Sequence, residues 1–548
     1  MSMKMKTITV AVAMIMLAAV VLAGCSGEKG GSSSEGSPSA TGTTGSNAGS
    51  SAEPRIQLNM FMSNSGVPHP DGVDPSDNPI LKVVEDYANV DIKMEVPNYD
   101  DFQTKFNLML ASGNLPDIVQ TFFPDETDMR ADEGAFLDLK SFYDNSPIMQ
   151  KVITPEMMEM AKSASGHYYR IPFSYAEAAK GDGIIVRYDL LQKYNDGKWP
   201  ETVDEWIDAM RKLKQGDPNA IPMTNRVLDE EAISYAGIPI FYMFGAQPYT
   251  YRVAGGEAVS TFALPEYKGA VQVMKQLYDE GLLDKEFATT DSPKWRDKWE
   301  NRNVLFGHNG ADQYIPNNNL TTIAGGKEFV FAPPLKQYPS VVADIKYTKP
   351  FERYPVGLDS VYISSKTKDP ARAWKVLEAF ASDQLKEAIF WGFENEDFKV
   401  VDGQKVPIEG EGLSNPNKLY RLHFGIIVGF YSGTEKNIAQ AREVMEPAQL
   451  DRRLASLDML AEQAKESGLR VKDFVKLDPD VSMKLKESNQ YISTATIEAI
   501  MGKITMDQFD GKVAEYKQKY GSIYQHYTDY IQANKDQLLS LGVKEAGW

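Results

Sequence analysis

The run Arg55-Ile56-Gln57-Leu58-Asn59-Met60-Phe61, followed by Ser63-Asn64-Ser65-Gly66, decides the fold class of this chain. Ile56, Leu58 and Met60 alternate with polar residues, which is the period of a strand, and the small polar residues beyond Phe61 read as a loop. Ile80 to Tyr87 then has helical spacing and Val90 to Val96 alternates again, so the segment opens as a βαβ unit. Phe102, Phe106, Met109 and Leu110 mark a second helix that stops at Gly113, and Leu115-Pro116-Asp117-Ile118-Val119 follows as a short buried strand. This alternation implies an α/β body with a mostly parallel sheet, whose strand ends are places for ligand contacts.

Further along, Gly166-His167-Tyr168-Tyr169-Arg170-Ile171-Pro172 leads into Ile184-Ile185-Val186-Arg187-Tyr188-Asp189, an extended run long enough to leave one lobe and enter another. Thr202 and Glu205 form a capping pair ahead of Trp206, Met210 and Leu213, a buried helical stripe that ends before Gly216. A similar helix starts at Asp369-Pro370 and carries Trp374, Leu377 and Phe380 inward. Trp295 and Trp299, four apart, read as one face of a helix packed on its lobe. From about Thr434 onward helical patterns dominate, and the short repeats of a solenoid or propeller are absent.

The chain has 548 residues, 42% hydrophobic and 11% aromatic, so it can bury a large core in two or more lobes. Its 58 basic against 76 acidic residues give a formal charge of -18, which excludes nucleic acid as a partner because gripping phosphates needs a basic excess. One cysteine excludes an intramolecular disulfide framework and any zinc site of paired thiolates. That cysteine lies at the end of an export signal. Lys4 and Lys6 precede an apolar or small stretch from Ile8 to Leu22, the length of a signal-peptide core and short for a membrane span. Residues 26–52 are almost entirely Ser, Gly, Thr and Ala, a flexible tether with an end-to-end distance of about 30 Å.

Leu22-Ala23-Gly24-Cys25 resembles the lipobox of bacterial lipoproteins, which implies cleavage before Cys25 and lipidation of its thiol. The body behind it resembles the extracellular solute-binding proteins of ABC importers, in the sugar-binding group of maltose-binding protein and the larger Gram-positive lipoproteins. The matches are Ile56 to Phe61 with its loop; Ser112-Gly113-Asn114-Leu115-Pro116-Asp117-Ile118-Val119; Tyr168 to Pro172 with Arg187 to Leu191 and Trp199 to Trp206; Asn303 to Gly310; and Tyr354 to Ile363. They stand in the family's order. The chain is longer than maltose-binding protein, and its polar turn His308-Asn309-Gly310-Ala311-Asp312 lacks the tryptophan that follows Asn-Gly there.

The resemblance implies a two-lobed periplasmic-binding-protein-like α/β fold with a hinge, an interlobe ligand cleft and a helix-rich C-terminal region. The expected division is a signal peptide at 1–24, lipidated Cys25 and tether at 25–52, an N-terminal lobe at 53–172 plus about 358–425, and a C-terminal lobe at 173–357 plus about 426–548. It further implies a monomer held at the outer face of a Gram-positive membrane through lipid on Cys25. That monomer would deliver an oligosaccharide or other small solute to two permease subunits served by a cytoplasmic ATPase, with no cofactor and no catalysis.

A sugar offers hydroxyls at its edge and apolar C–H faces, so a cleft for it needs aromatics and hydrogen-bonding groups together. Seven tryptophans and 27 tyrosines supply the first amply. In the first lobe the candidates are Ser63, Asn64 and Ser65, then Phe122, Phe123, Asp125 and Glu126, with Tyr175 and Glu177 just past the first crossover. In the second they are Tyr242 and Tyr249, and His308, Asn309 and Asp312. Trp391 with Gly392 and Glu394 resembles a Tyr/Trp-Gly-x-Glu element of the large lipoproteins and is the favoured stacking residue. Against this stand a polysaccharide-degrading enzyme using Asp125 with Glu126, or Glu394 with Glu396 and Asp397, as its carboxylate pair, and a binder of peptides. Asp71, Asp74 and Asp77 have a spacing suggestive of calcium but lack the EF-hand order, and they read as a solvated turn; no metal site is expected.

Overall fold

The computed structural model describes residues 53–63, 74–174, 182–228, 231–234, 237–310, 327–342, 356–408, 446–467 and 469–544. Residues 1–52, with Cys25 and the tether, lie outside them, as do Asn64, Ser65, Asp71, Tyr175, Glu177 and Asp312.

The opening βαβ unit forms from the expected residues. Asn78 Oδ1 accepts from the Leu81 amide at 2.9 Å and Pro79 fills the first helical position, so the helix Pro79–Ala88 starts there; it ends at Asn89, which takes a left-handed φ of 54°. Ile80, Leu81, Val84 and Ala88 are buried against the sheet. The strand Ile56–Phe61 pairs in parallel with Val90–Glu95 on one side and with Ile118–Thr121 on the other. This last strand begins at Ile118 rather than at Leu115. Pro116 has no N–H to give, and the Asp117 carboxylate accepts the Asn59 amide at 2.8 Å where a ladder bond would stand.

The first sheet runs in the order Val90–Glu95, Ile56–Phe61, Ile118–Thr121, Val356–Ile363, Arg170–Ser174. Val356–Ile363 is antiparallel to both neighbours, so the sheet is mixed where the sequence suggested a mostly parallel one. The reason is its origin: it returns from the other half of the molecule, at the end where its neighbours finish, and must run against them. In the second sheet Asp182–Arg187 is flanked by Phe306–Gly310 and Phe329–Phe331, both antiparallel to it. Arg187 ends the extended run, because Tyr188 already opens the helix Tyr188–Tyr194.

Two large apolar cores lie around these sheets. Leu58, Ile80, Ile118, Ile171, Val361 and Trp374 belong to the first; Ile184, Trp206, Phe241, Tyr267, Phe306 and Tyr520 belong to the second. The C-terminal helices Pro479–Ile500 and Met506–Ser540 supply much of the second core, and Pro447–Ser467 brings Leu460 against Ile185, Trp295, Trp299 and Phe331 in a smaller one. Trp206, Trp295, Trp299 and Trp374 are thus all buried packing residues. Among the described residues the two cores are linked where Met160 packs into the second while Met157 and Met158 pack into the first, and where Val356 packs against both. The architecture is a two-lobed, mixed α/β fold with a helix-rich C-terminal region. Among the described residues no helix is long and apolar enough to cross a membrane.

The helix Val203–Gly216 departs from its expected cap by one residue. Thr202 Oγ1 accepts from the Glu205 amide at 3.2 Å, but the Glu205 carboxylate turns to the Glu201 amide, 2.6 Å away, instead of to Thr202. Thr202→Ala is expected to cost about 1 kcal/mol, the usual worth of such a cap, read as a lower urea midpoint at unchanged m-value.

Candidate functional site

The C-terminal ends of the first sheet's strands form one wall. Ser63, just past Ile56–Phe61, is fully buried and its amide donates to Gln120 Oε1 at 2.9 Å. Gln120 Nε2 in turn donates to Asp359 Oδ1 at 3.0 Å, across 239 positions of sequence. A fully buried glutamine in a four-residue buried strand is a polar layer at the C-terminal end of the sheet's central strand, after which the backbone turns into Phe122 and Phe123.

Phe123 is half-buried, its ring 5.8 Å from Phe106 and 6.3 Å from Phe102, so it extends the aromatic cluster of Phe61, Phe102 and Phe106. Pro124 then starts the helix Pro124–Asp132, which puts Asp125 and Glu126 in its first turn, where the helix dipole favours carboxylates. Both are exposed. Asp128, one turn on, is buried: Tyr362 Oη donates to its Oδ1 at 2.8 Å, and Arg170 Nε stands 3.5 Å from its Oδ2. Arg170 Nη1 also donates to Ser360 Oγ at 2.8 Å. Burial raises the Asp128 carboxyl above the usual range, against the opposing pull of Arg170 and the Tyr362 hydroxyl.

The second half presents two aromatic arrangements. Tyr242 and His308, both buried, stack with ring centroids 4.6 Å apart and planes 21° from parallel. His308 pairs with Ile184 and Asn309 with Gly183, close to the point where the chain enters this sheet. Tyr251 and Tyr527 meet at 4.4 Å. Burial pushes the Tyr527 hydroxyl up to about 12, and the charge of Asp125 adds to the rise. An acid of the first half is therefore within electrostatic reach of an aromatic pair of the second.

The predicted residues divide accordingly. Ser63, Phe123, Asp125 and Glu126 share one sheet edge, and Tyr242 and His308 stack on each other. Trp391 is half-buried on the hairpin Phe398–Pro407, with its ring 5.8 Å from Phe398 and the Lys405 ammonium 5.7 Å from its centroid; Glu394 bridges to Phe398 and is exposed. No described contact joins those two to the others. Asp397, beside them, is buried and accepts the Phe393 amide at 2.8 Å, a structural use. Tyr249, also a candidate, is half-buried, and its hydroxyl is engaged within its own half: it bonds Ser493 Oγ and receives the Ile233 amide. Among the described residues no three His, Cys, Asp or Glu side chains are grouped to hold a metal ion. Gln120, Asp359, Tyr251 and Tyr527 escaped the sequence reading. A glutamine and an aspartate inside otherwise apolar strands are the signal that marks the first two.

A two-lobed, mixed α/β fold with a helix-rich C-terminal region is that of a solute-binding protein. The family described as "Bacterial extracellular solute-binding protein" matches residues 74–387, and the chain belongs to it. The Lipoprotein LipO of Bacillus subtilis (strain 168) is 28% identical over 290 residues, 51% of this chain and 52% of that protein. The polygalacturonan/rhamnogalacturonan-binding protein YtcQ of the same organism is 25% identical over 249 residues, 44% of this chain and 47% of its own. The chain spans about half the length of the curated relatives it matches. Over the whole fold, an HMO binding, ABC-transporter associated solute binding protein from Bifidobacterium longum infantis ATCC 15697 superposes with a TM-score of 0.65 at 17% identity, covering 87% of this chain and 99% of that one.

Proposed function

We propose that this chain captures an oligosaccharide or sugar derivative between its two lobes and delivers it to an ABC permease of two subunits with a cytoplasmic ATPase, working as a monomer anchored outside the cell by lipid on Cys25. Its lobes are taken as 53–172 with about 358–425, and 173–357 with about 426–548. The observation that carries the reading is that the charge of Asp125, from the first half, reaches the Tyr527 hydroxyl of the second, whose ring lies 4.4 Å from that of Tyr251: a carboxylate for a sugar's hydroxyl edge on one half and aromatic rings for its face on the other. Ser63, Phe123 and Glu126 on one side, and Tyr242 and His308 on the other, complete the proposed cleft. The name of YtcQ, a polygalacturonan/rhamnogalacturonan-binding relative, supports a sugar ligand.

A ligand that touches both lobes favours the closed arrangement by the difference between its affinities for closed and open forms, and that closed form is what a permease would read. The proposal includes no catalytic step, since binding and release alone complete the task. Calorimetry and thermal-shift panels on residues 53–548 against neutral oligosaccharides, uronate oligomers, peptides and amino acids test it. Stabilisation by sugars is expected; stabilisation by peptides alone, or release of products from a polysaccharide, would overturn it. Asp125→Asn is expected to weaken sugar binding about tenfold or more, the worth of a hydrogen bond to a charged group. Because Asp125 is exposed, the same change should leave the melting temperature within about a degree.

A further inference from the structure

Lys476 belongs to the second half, between Val475 and Leu477, which pack into the second core. Its ammonium nevertheless crosses the seam and donates to the carbonyl of Met160 at 2.6 Å, at the end of the helix Pro155–Met160, the element whose side chains enter both cores. Charged groups of three elements act on it. They are Arg170 of the strand Arg170–Ser174, Asp125 and Asp128 of the helix Pro124–Asp132, and Asp473 of the short turn Val471–Asp473 that precedes it in the chain. From the last helix, His526 Nε2 stands 3.2 Å from the Lys476 carbonyl. Beside Lys476 lies a groove of about 490 Å³ that also spans the seam, with Glu159 and Lys162, themselves an ion pair, on the first half and Asp478 and Asp529 on the second.

We infer that Lys476 is a positioning residue of the seam between the halves: it lodges a cation of the second half among the charges of the first, and its protonation sets how firmly the halves meet. The inference rests on the solute-capture reading for its purpose but not for its test. Burial, then the neighbouring Arg170, bring the Lys476 ammonium down to about 8, against the attraction of Asp125, Asp128 and Asp473. When the halves separate, the side chain regains water and its ordinary value of about 10.4. Between those two values the separated state binds more protons than the joined one, so raising the pH favours the joined arrangement. Below about pH 8 the cost of the buried proton is present in full, and above about pH 10 it is gone.

The test is a distance distribution between spin labels at Thr104→Cys on the first half and Lys486→Cys on the second, in the full chain carrying Cys25→Ser and without any sugar. From pH 7 to pH 9.5 the ratio of joined to separated molecules is expected to rise roughly 25-fold. Lys476→Met should respond to neither pH, and Lys476→Arg, charged throughout, should keep the neutral-pH distribution at both. A wild-type distribution indifferent to pH, or a Met or Arg variant that tightens as wild type does, overturns the assignment. If the Met variant does not fold, the wild-type and Arg chains still decide it. Because no sugar is present, a negative result here leaves the ligand panel standing, and a failed panel leaves this result standing.

Discussion

Replacing Cys25 with Ser is expected to move essentially all of the protein from the membrane fraction into the medium while leaving sugar affinity unchanged. Cys25 is the only thiol in the chain, so no second residue takes over a thioether-linked lipid. Each buried methylene of an acyl chain contributes about 0.8 kcal/mol, and stable anchoring needs more than one such chain or signal. Nothing in the tether replaces that: residues 26–52 carry no aliphatic side chain larger than alanine. The acid excess of the chain offers an anionic surface no attraction either. Fractionation followed by immunoblotting reads the outcome, and a Cys25→Ser chain that still pellets with membranes would refute the lipid attachment. Unchanged calorimetric affinity of the released protein completes the expectation, because the proposed cleft begins beyond the tether.

The second large effect is on stability. Asp128→Ala is expected to destabilise the fold by about 3–5 kcal/mol, the usual penalty for removing one member of a buried ion pair. Arg170, 5% exposed, would keep Ser360 as a partner but lose its nearest carboxylate, and the Tyr362 hydroxyl, fully buried, would be left with the Pro124 carbonyl at 3.3 Å. Lys476 would also lose one of the acids that hold it. Asp128→Asn keeps an acceptor for Tyr362 and removes only the charge, so it should cost clearly less. Urea unfolding at pH 7 separates the two variants; equal midpoints for Ala and wild type would show that Arg170 is satisfied without the pair.

Much of this fold was legible because local patterns and tertiary packing agree. The alternation of Ile56, Leu58 and Met60, the Asp369-Pro370 start and the Gly113 stop each have one local physical reading, and the structure uses it. What could not be read are relations fixed by distant partners. The antiparallel sense of Val356–Ile363 depends on where the chain comes from, and the Gln120–Asp359 bond joins strands whose residues have no local signal of each other. The same limit applies to the candidate site. Phe123, Asp125 and Glu126 follow from a strand ending at Thr121 and a helix starting at Pro124, a local rule. Tyr527 and Lys476 sit in helical and loop stretches whose sequence says only that they are amphipathic, and their nearness to Asp125 exists once the C-terminal helices have come back across the molecule. Trp391, favoured from its motif as a stacking residue, is half-buried with its ring 5.8 Å from Phe398 of the neighbouring hairpin, a contact its sequence does not announce.

The Val356–Ile363 strand sits between Ile118–Thr121 and Arg170–Ser174, so the first sheet cannot be completed until a segment some two hundred residues downstream has arrived; the second core waits longer still, for Tyr520 and Ile531 near the chain's end. Contacts this distant along the chain make folding slow. For a polypeptide that the proposed anchor requires to be threaded through a membrane while extended, slowness is an asset: the topology itself delays collapse until translocation is nearly over.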